Sequence, residues 1–387
     1  MKSITTLPLG SASRPSLIFI ETTVACDYRC RHCRASSQEN PLPDQLSYEE
    51  VTNAIKGILE FGRPYPMVIF TGGNMLMRDR IRDIIDFTHK LGIPFSVSPS
   101  ASPLLTLDFL RFIRKRGVRS LSLSMDGDYG GSHDWLRRSP GSHSLTLALI
   151  GDVMDAGIPV QVNTTIMKRN ITELPYIAKS LVDSGVRTWE LFFLIKTGRG
   201  LYEEDLTAEQ IEDVNFWLAS LETYGLNVRT VESPVFKRIM KQMEEGAAPP
   251  DSDLYQYLSS ETVKIFGPHH KPNENSKAVQ RASHPAGQGI LFVSQNGDVT
   301  PSGFLPVSCG NVKQTGIVEI FRENRLINDL RTRDRLKGKC GECKFKVVCG
   351  GSRARAFAYH GDPLAEDPGC VYHPSPTDLT YALGSKM

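Results

Sequence analysis

The sequence predicts an α/β protein: an open, partial barrel of six strand–helix units followed by a small cysteine-rich C-terminal domain. Three observations predict it. Short apolar, β-branched segments alternate with amphipathic ones from Leu17 to beyond Thr207, a rhythm that builds a parallel sheet covered by helices. Six such units occur, where a closed α/β barrel needs eight. The eight cysteines fall into two groups with none between Cys33 and Cys309, which points to two separate metal centres.

Each unit has its own signals. Leu17–Thr22 reads as the first strand. Ser47-Tyr48-Glu49-Glu50 forms a capping box that opens a helix to about Phe61. Met67–Thr71 is a short apolar strand, and Arg78–Lys90 has helical periodicity. Phe95–Ser98 is the third strand, and Thr106 caps a helix to about Arg116. Ser120–Met125 and Ser142–Ala156 form the fourth unit, Val160–Ile166 and Glu173–Ser184 the fifth. Thr188–Ile195, with a helix after Thr207, forms the sixth. Ile290–Ser294, the turn around Asn296-Gly297, and Val299-Thr300 read as a hairpin. A helix is expected from about Val318 to Arg331.

These signals divide the chain into a lead-in (1–16), a core domain (17–240), a polar linker or lid (241–287) and a C-terminal domain (288–387). The linker contains His269-His270, a pair that could touch a ligand but reads first as a solvated loop. The C-terminal segment is rich in Gly and Cys, so a metal is expected to hold it together.

Composition narrows the function classes. A net charge of +2 gives no bulk electrostatic footprint for nucleic acid or an anionic membrane. No apolar run reaches the roughly 18 residues of a membrane span. The N-terminus has one Lys and no apolar h-region, so it does not read as a secretory signal. A cytoplasmic protein is expected, with cysteines as metal ligands rather than disulfides.

The unusual polar stretches gather at the C-terminal ends of strands, where parallel α/β folds place their sites. They are the cysteine loop, Thr71-Gly72-Gly73-Asn74, Ser98-Pro99-Ser100, Asp126-Gly127, Asn163-Thr164-Thr165 and Lys196–Gly200. The loop holds Cys26, Cys30 and Cys33 in a C-x3-C-x2-C run. Three thiolates can bind three corners of a [4Fe–4S] cluster and leave the fourth iron open for chemistry. Zinc is the competing reading, but zinc sites usually pair thiols as C-x2-C or add histidines. At the other end, Cys340, Cys343, Cys349 and Cys370 supply four thiols, enough for a closed [4Fe–4S] site. Structural zinc competes there too.

The first run, with the aromatic His32 before its last cysteine, resembles the signature of radical S-adenosylmethionine (SAM) enzymes. The resemblance covers roughly residues 15–230, and the six-unit partial barrel agrees with it. The C-terminal part resembles the SPASM/twitch extension of a subset of these enzymes. Cys349–Ala356 looks closest to a subfamily near the alternative-haem and haem-modification enzymes. The resemblance implies that SAM chelates the open iron and is cleaved, on reduction, to methionine and a 5′-deoxyadenosyl radical. That radical abstracts hydrogen from substrate. It also implies anaerobic chemistry, a flavodoxin- or ferredoxin-type reductant, and a tetrapyrrole or peptide substrate. The rival from another class is a non-catalytic iron–sulfur electron carrier.

Site residues carry over by position. His32 belongs to the cofactor loop. Gly72 and Gly73 match the element that contacts the methionyl amino group, but the acidic residue and proline that often follow are here Asn74-Met75. His133–Arg137 resembles a stretch whose arginine binds the SAM carboxylate, which makes Arg137 the candidate; a surface salt bridge is the alternative. Ser98 and Asn163 stand at strand ends where ribose or methionyl contacts occur, or where plain capping does. Asp126 either contacts ribose or closes a turn. The spacing of the four C-terminal thiols resembles the outer auxiliary cluster of SPASM proteins. Arg353 and Ser302 stand where further cysteines often lie, so one auxiliary cluster is expected rather than two. Cys309 is unassigned: it could complete a partial site, ligate iron in a substrate complex or, as the simplest reading, be a buried thiol.

Overall fold

The computed structural model describes residues 13–268, 286–287 and 289–375. Most of the lead-in and the His269-His270 pair lie outside them.

A single sheet organises the molecule. Its strands are β1 (Leu17–Glu21), β2 (Met67–Thr71), β3 (Phe95–Val97), β4 (Leu121–Ser124), β5 (Val160–Ile166), β6 (Thr188–Phe193), β7 (Asn227–Val231), β8 (Ile290–Val293), β9 (Asp298–Thr300) and β10 (Gly310–Asn311). Their order is β10-β9-β8-β1-β2-β3-β4-β5-β6-β7. Strands β1 to β7 are parallel neighbours in chain order. The expected unit count is corrected here: a seventh parallel strand follows the sixth helix. The sequence pattern hid it because only one residue of β7, Thr230, is buried.

The expected hairpin exists as β8–β9. It is also part of the barrel, because β8 lies parallel to β1 with Leu17 opposite Ile290. The C-terminal domain therefore extends the same sheet.

Side chains alternate across the strands. One face sends Ile18, Ile20, Val68, Phe70, Leu121, Leu123 and Val162 into the main core under the helices. The other face borders the barrel interior with Ser96, Ser98, Ser122, Ser124, Gln161 and Glu190. A closed α/β barrel fills its interior with layers of branched side chains. Here serines leave that volume open.

Helices close the outer face. The capping boxes at Ser47/Glu50 and Thr207/Gln210 both form, and Thr106 accepts a hydrogen bond from Phe109 N. The stretch read as a linker or lid contains a helix, Asp253–Phe266, with Leu258 and Thr262 buried. Trp189 of β6 meets Trp217 edge-on at 6.3 Å, and Trp217 Nε1 donates to Thr262 Oγ1 at 2.8 Å. That stack ties the helix to the barrel, which corrects the expectation of little core there. The single helix expected at Val318–Arg331 is two, Ile317–Glu323 and Arg325–Arg331. Asn324 breaks them and caps the second by accepting from Ile327 N.

Among the described residues beyond them, the C-terminal segment forms short helices, Gly338–Glu342 and Arg353–His360. Its small apolar cluster unites Leu305, Leu330 and Ala354 with Ile195 after β6.

Candidate active site

The cysteine loop follows β1 and is held from several sides. Cys26, Tyr28 and Cys30 are buried together, with Cys33 packed against them. Tyr28 N donates to Cys26 Sγ at 3.3 Å, and Ser37 N to Cys33 Sγ at 3.4 Å. Arg137 Nη1 donates to Cys30 Sγ at 3.6 Å. All three sulfurs thus receive donors, which suits thiolate ligands.

The turn after β2 presses against the same loop. Gly73 N donates to Thr23 O and Asn74 N to Ala25 O, each at 2.7 Å. A Cβ at Gly73 would lie 2.4 Å from Ala25 O, so only glycine fits this approach. Asn74 occupies the position where the family often has an acid. It is fully buried and donates to Asp27 Oδ1 at 3.2 Å and Ser102 Oγ at 3.0 Å. Its role is to hold the loop.

Arg199, which sequence reasoning did not single out, is a second clamp. Its guanidinium donates to Cys30 O at 2.7 Å, Ser37 O at 2.8 Å and Ser37 Oγ at 3.1 Å. The available signal was the Lys196–Gly200 turn at the end of β6. Gly198 sits in the left-handed region at φ 53, and a Cβ there would meet Arg34 O at 2.2 Å.

Asp126 stands apart from the other expected cofactor-site residues. It is 1% exposed and is absent from the cavity wall. Its carboxylate pairs with Arg137, accepts from Thr165 N at 2.8 Å and lies 4.0 Å from His32 Nε2. Burial opposes the charge, but the Arg137 guanidinium and neighbouring His32 hold the Asp126 carboxyl below its usual range. Its contacts are with Arg137, Thr165 N and His32 rather than with the open cavity.

Helix Gly130–Arg137 carries both His133 and Arg137. It starts on Gly-Gly without a side-chain cap, so the sequence pattern did not reveal it. His133 Nδ1 accepts from Asp126 N at 3.1 Å. Burial, then Arg137, pushes the His133 pKa down to about 3; burial pushes His32 down to about 4.

The loop opens onto a cavity of about 540 Å³. Cys26, Cys30, Cys33, His32, Arg137, Gly72, Gly73, Ser98 and Asn163 all border it. The structure therefore brings every expected cofactor-site residue to one chamber except Asp126. Arg229 of β7 and Phe292 of β8 border it as well, so the sheet curls until its two arms face the same space. Gly351, Ser352 and Arg353 of the C-terminal domain complete the wall. Below the mouth, Gln161 Nε2 donates to Asn163 Oδ1 and Glu190 Oε2, both at 2.8 Å. Next to the thiol loop, the buried polar atoms His32 Nδ1 and Arg137 Nε have no hydrogen-bond partner among the described residues. Unpartnered donors beside a thiol loop fit a polar cofactor such as SAM.

The C-terminal thiols also receive donors: Cys340 Sγ from Asp367 N at 3.3 Å, Cys343 Sγ from Phe345 N at 3.3 Å and Cys349 Sγ from Gly351 N at 3.5 Å. Tyr372 N donates to Cys370. For Cys26, Cys343, Cys349 and Cys370 the donor lies two residues downstream, a turn that turns an amide toward the sulfur. Among the described residues, no group of three or more Cys, His, Asp or Glu side chains converges on one ion. A four-iron cube instead takes each thiolate on a different iron.

Arg353 donates to Pro363 O, Ala365 O and, at 3.7 Å, Cys340 Sγ. Arg355 is engaged by Asp367 and Asp205. Cys309 belongs to the main core, and burial alone pushes its thiol up to about 12.

Comparison with known proteins gives the class. Residues 20–181 match the radical SAM superfamily, and residues 285–344 match the SPASM iron–sulfur cluster-binding domain. The chain belongs to the radical SAM family and is an enzyme that uses SAM, a SAM-binding [4Fe–4S] cluster and an auxiliary iron–sulfur cluster. Among named relatives it is similar to the AdoMet-dependent heme synthase of Nitratidesulfovibrio vulgaris, 34% identical over 92% of each chain. The enzyme of that name from Methanosarcina barkeri is 31% identical over 95% of this chain and 99% of its own. A Fe-coproporphyrin III synthase from the same organism is 24% identical over 93% of this chain and 88% of its own. Among solved structures, Streptococcus suis SuiB bound to its precursor peptide SuiA shares the fold. Its TM-score is 0.68 at 14% identity, covering 93% of this chain and 76% of that one.

Proposed function

We propose that this enzyme acts on an iron-porphyrin and removes a carboxylate side arm by radical-initiated decarboxylation. The observation that carries the reading is the shared chamber: thiol loop, open barrel and C-terminal domain border one cavity of about 540 Å³. Similarity to heme synthases along nearly the full length of both chains supports the substrate class.

The residues take these roles. Cys26, Cys30 and Cys33 hold three irons of the SAM-binding cluster; Cys340, Cys343, Cys349 and Cys370 hold the auxiliary one. Gly72 and Gly73 let the backbone approach the methionyl group. Arg137 steadies Cys30 and keeps Nε for the SAM carboxylate, with Asp126 fixing its orientation. His32, Ser98 and Asn163 contact the rest of SAM. When bound, SAM and its cluster would supply the radical that takes hydrogen from the ring-attached CH2 of the side arm, next to the CH2 that bears the carboxylate. Cleavage of the bond to the carboxylate would release carbon dioxide and leave both side-arm carbons as a vinyl group, with the one surplus electron available to the auxiliary centre. A flavodoxin- or ferredoxin-type reductant supplies the initiating electron. The reading places the enzyme in a reducing, cytoplasmic setting, in keeping with its free thiols.

The test is direct. Reconstituted enzyme, SAM, a strong reductant and Fe-coproporphyrin III are combined without oxygen, and products are followed by mass spectrometry. The expected result is 5′-deoxyadenosine together with porphyrin that has lost carbon dioxide. 5′-Deoxyadenosine without porphyrin change, but with turnover of a ribosomally made peptide, would replace the substrate class. No SAM cleavage with both clusters present would leave an electron carrier.

A further inference from the structure

Glu232 follows the last barrel strand, β7, and takes no part in the roles above. Three features single it out. Its backbone is left-handed at φ 57, one of only four non-glycine residues with positive φ among those described. Such strain gathers at functional positions. Its side chain borders the cavity. And its Oε2 accepts a hydrogen bond from Ser352 Oγ at 2.6 Å, which reaches across from the C-terminal domain.

That contact begins a chain. Ser352 N donates to Asp367 Oδ2 at 2.6 Å, and Asp367 N donates to Cys340 Sγ at 3.3 Å. Three hydrogen bonds therefore join a cavity-facing carboxyl to a sulfur of the auxiliary centre. Glu232 Oε1 has no partner among the described residues. The arginines that border the cavity are engaged: Arg34 with Glu21, Arg137 with Asp126, Arg229 with Gln161 Oε1 at 3.4 Å and Arg353 with backbone carbonyls.

We propose that Glu232 is a substrate-contacting residue that seats one carboxylate side arm of the porphyrin and, through Ser352 and Asp367, ties the occupied cavity to Cys340. The assignment rests on the porphyrin reading above. A carboxyl can seat a carboxylate when it keeps its proton and donates through Oε1. Burial pushes the Glu232 carboxyl up, with Asp367 nearby adding to the effect against Arg355 and Arg353.

The test uses the holoprotein, reduced without oxygen, and metal-free coproporphyrin III, which fluoresces and has no paramagnetic signal of its own. Affinity is read by fluorescence titration, and the auxiliary cluster by its electron paramagnetic resonance signal with and without porphyrin. Glu232→Gly removes the carboxyl and relieves the left-handed strain, so thermal stability is maintained or raised. It is expected to weaken binding about tenfold, the effect of one lost charge-assisted hydrogen bond. Glu232→Gln keeps a donor and is expected to recover most of that affinity. Porphyrin should shift the auxiliary signal in the wild type, and the shift should vanish in Glu232→Gly and Ser352→Ala. Failure of the wild type to bind would overturn the porphyrin reading together with this assignment. Wild-type binding with unchanged affinity in Glu232→Gly would overturn the assignment alone. Weakened binding with the shift intact would overturn the link through Ser352 and Asp367.

Discussion

At Gly73 a single hydrogen atom decides whether the thiol loop can form. A Cβ would overlap the Ala25 carbonyl at 2.4 Å, and the neighbour is backbone that cannot yield cheaply. Gly73→Ala is therefore expected to displace Ala25–Cys26 and lose the SAM-binding cluster while the C-terminal one remains. Iron quantitation should show about half the wild-type iron, since each cube binds four irons. His133 makes a second prediction. Its pKa is near 3 when folded against about 6.5 in an unfolded chain. The unfolded state binds the proton more readily, so stability is full above about pH 6.5 and falls as pH drops toward 3. Arg137, Asp126 and His143 face the ring. His133→Gln should flatten the slope of melting temperature between about pH 6.5 and 4. Both residues sit in stretches that the pattern flagged, yet only folding reveals what they touch. The Gly-Gly turn was legible as a close approach; that the surface it approaches is the Thr23–Ala25 backbone was not.

Among the elements, the turn after β6 has the sharpest consequence. Arg199 spans three acceptors on the cysteine loop, and hydrogen bonds to charged donors contribute about 1.5–3 kcal/mol each. Arg199→Ala is expected to leave the fold intact but make the first cluster labile, seen as faster bleaching of its visible absorbance in air. Arg199→Lys should not rescue it, since an ammonium cannot present the guanidinium's fork. The strands with a continuous apolar face were easy to read, as were the helices with capping boxes. Strand β7 escaped because only Thr230 of its residues is buried, so it shows no continuous apolar face. The alternation Ser120-Leu121-Ser122-Leu123-Ser124 was the available clue to that interior: leucine packs outward, serine lines a chamber.

Across the whole molecule, metal and sheet share the work of holding the C-terminal domain. Its apolar cluster is small, so the auxiliary thiols must supply much of its order. Removing iron with a chelator should expose residues 338–375 to limited proteolysis while the barrel resists. Cys343→Ala should spare SAM cleavage uncoupled from substrate, yet block product formation, as read by 5′-deoxyadenosine against decarboxylated porphyrin. Loss of all SAM cleavage in that variant would contradict separate roles for the two centres. The two-centre organisation was legible from cysteine clustering alone. The joining of both ends in one sheet was not, because strand partners far apart in sequence leave no local signal.

The pairing of β1 with β8 also bears on biosynthesis. β1 introduces the thiol loop and lies between β2 and a strand near residue 290. During synthesis it remains a bare edge until almost three-quarters of the chain has emerged. A chain stopped near residue 240 keeps all three thiols of the first centre but exposes an unprotected parallel edge, a template for aggregation. Assembly of the first metal centre is thereby tied to completion of the last domain.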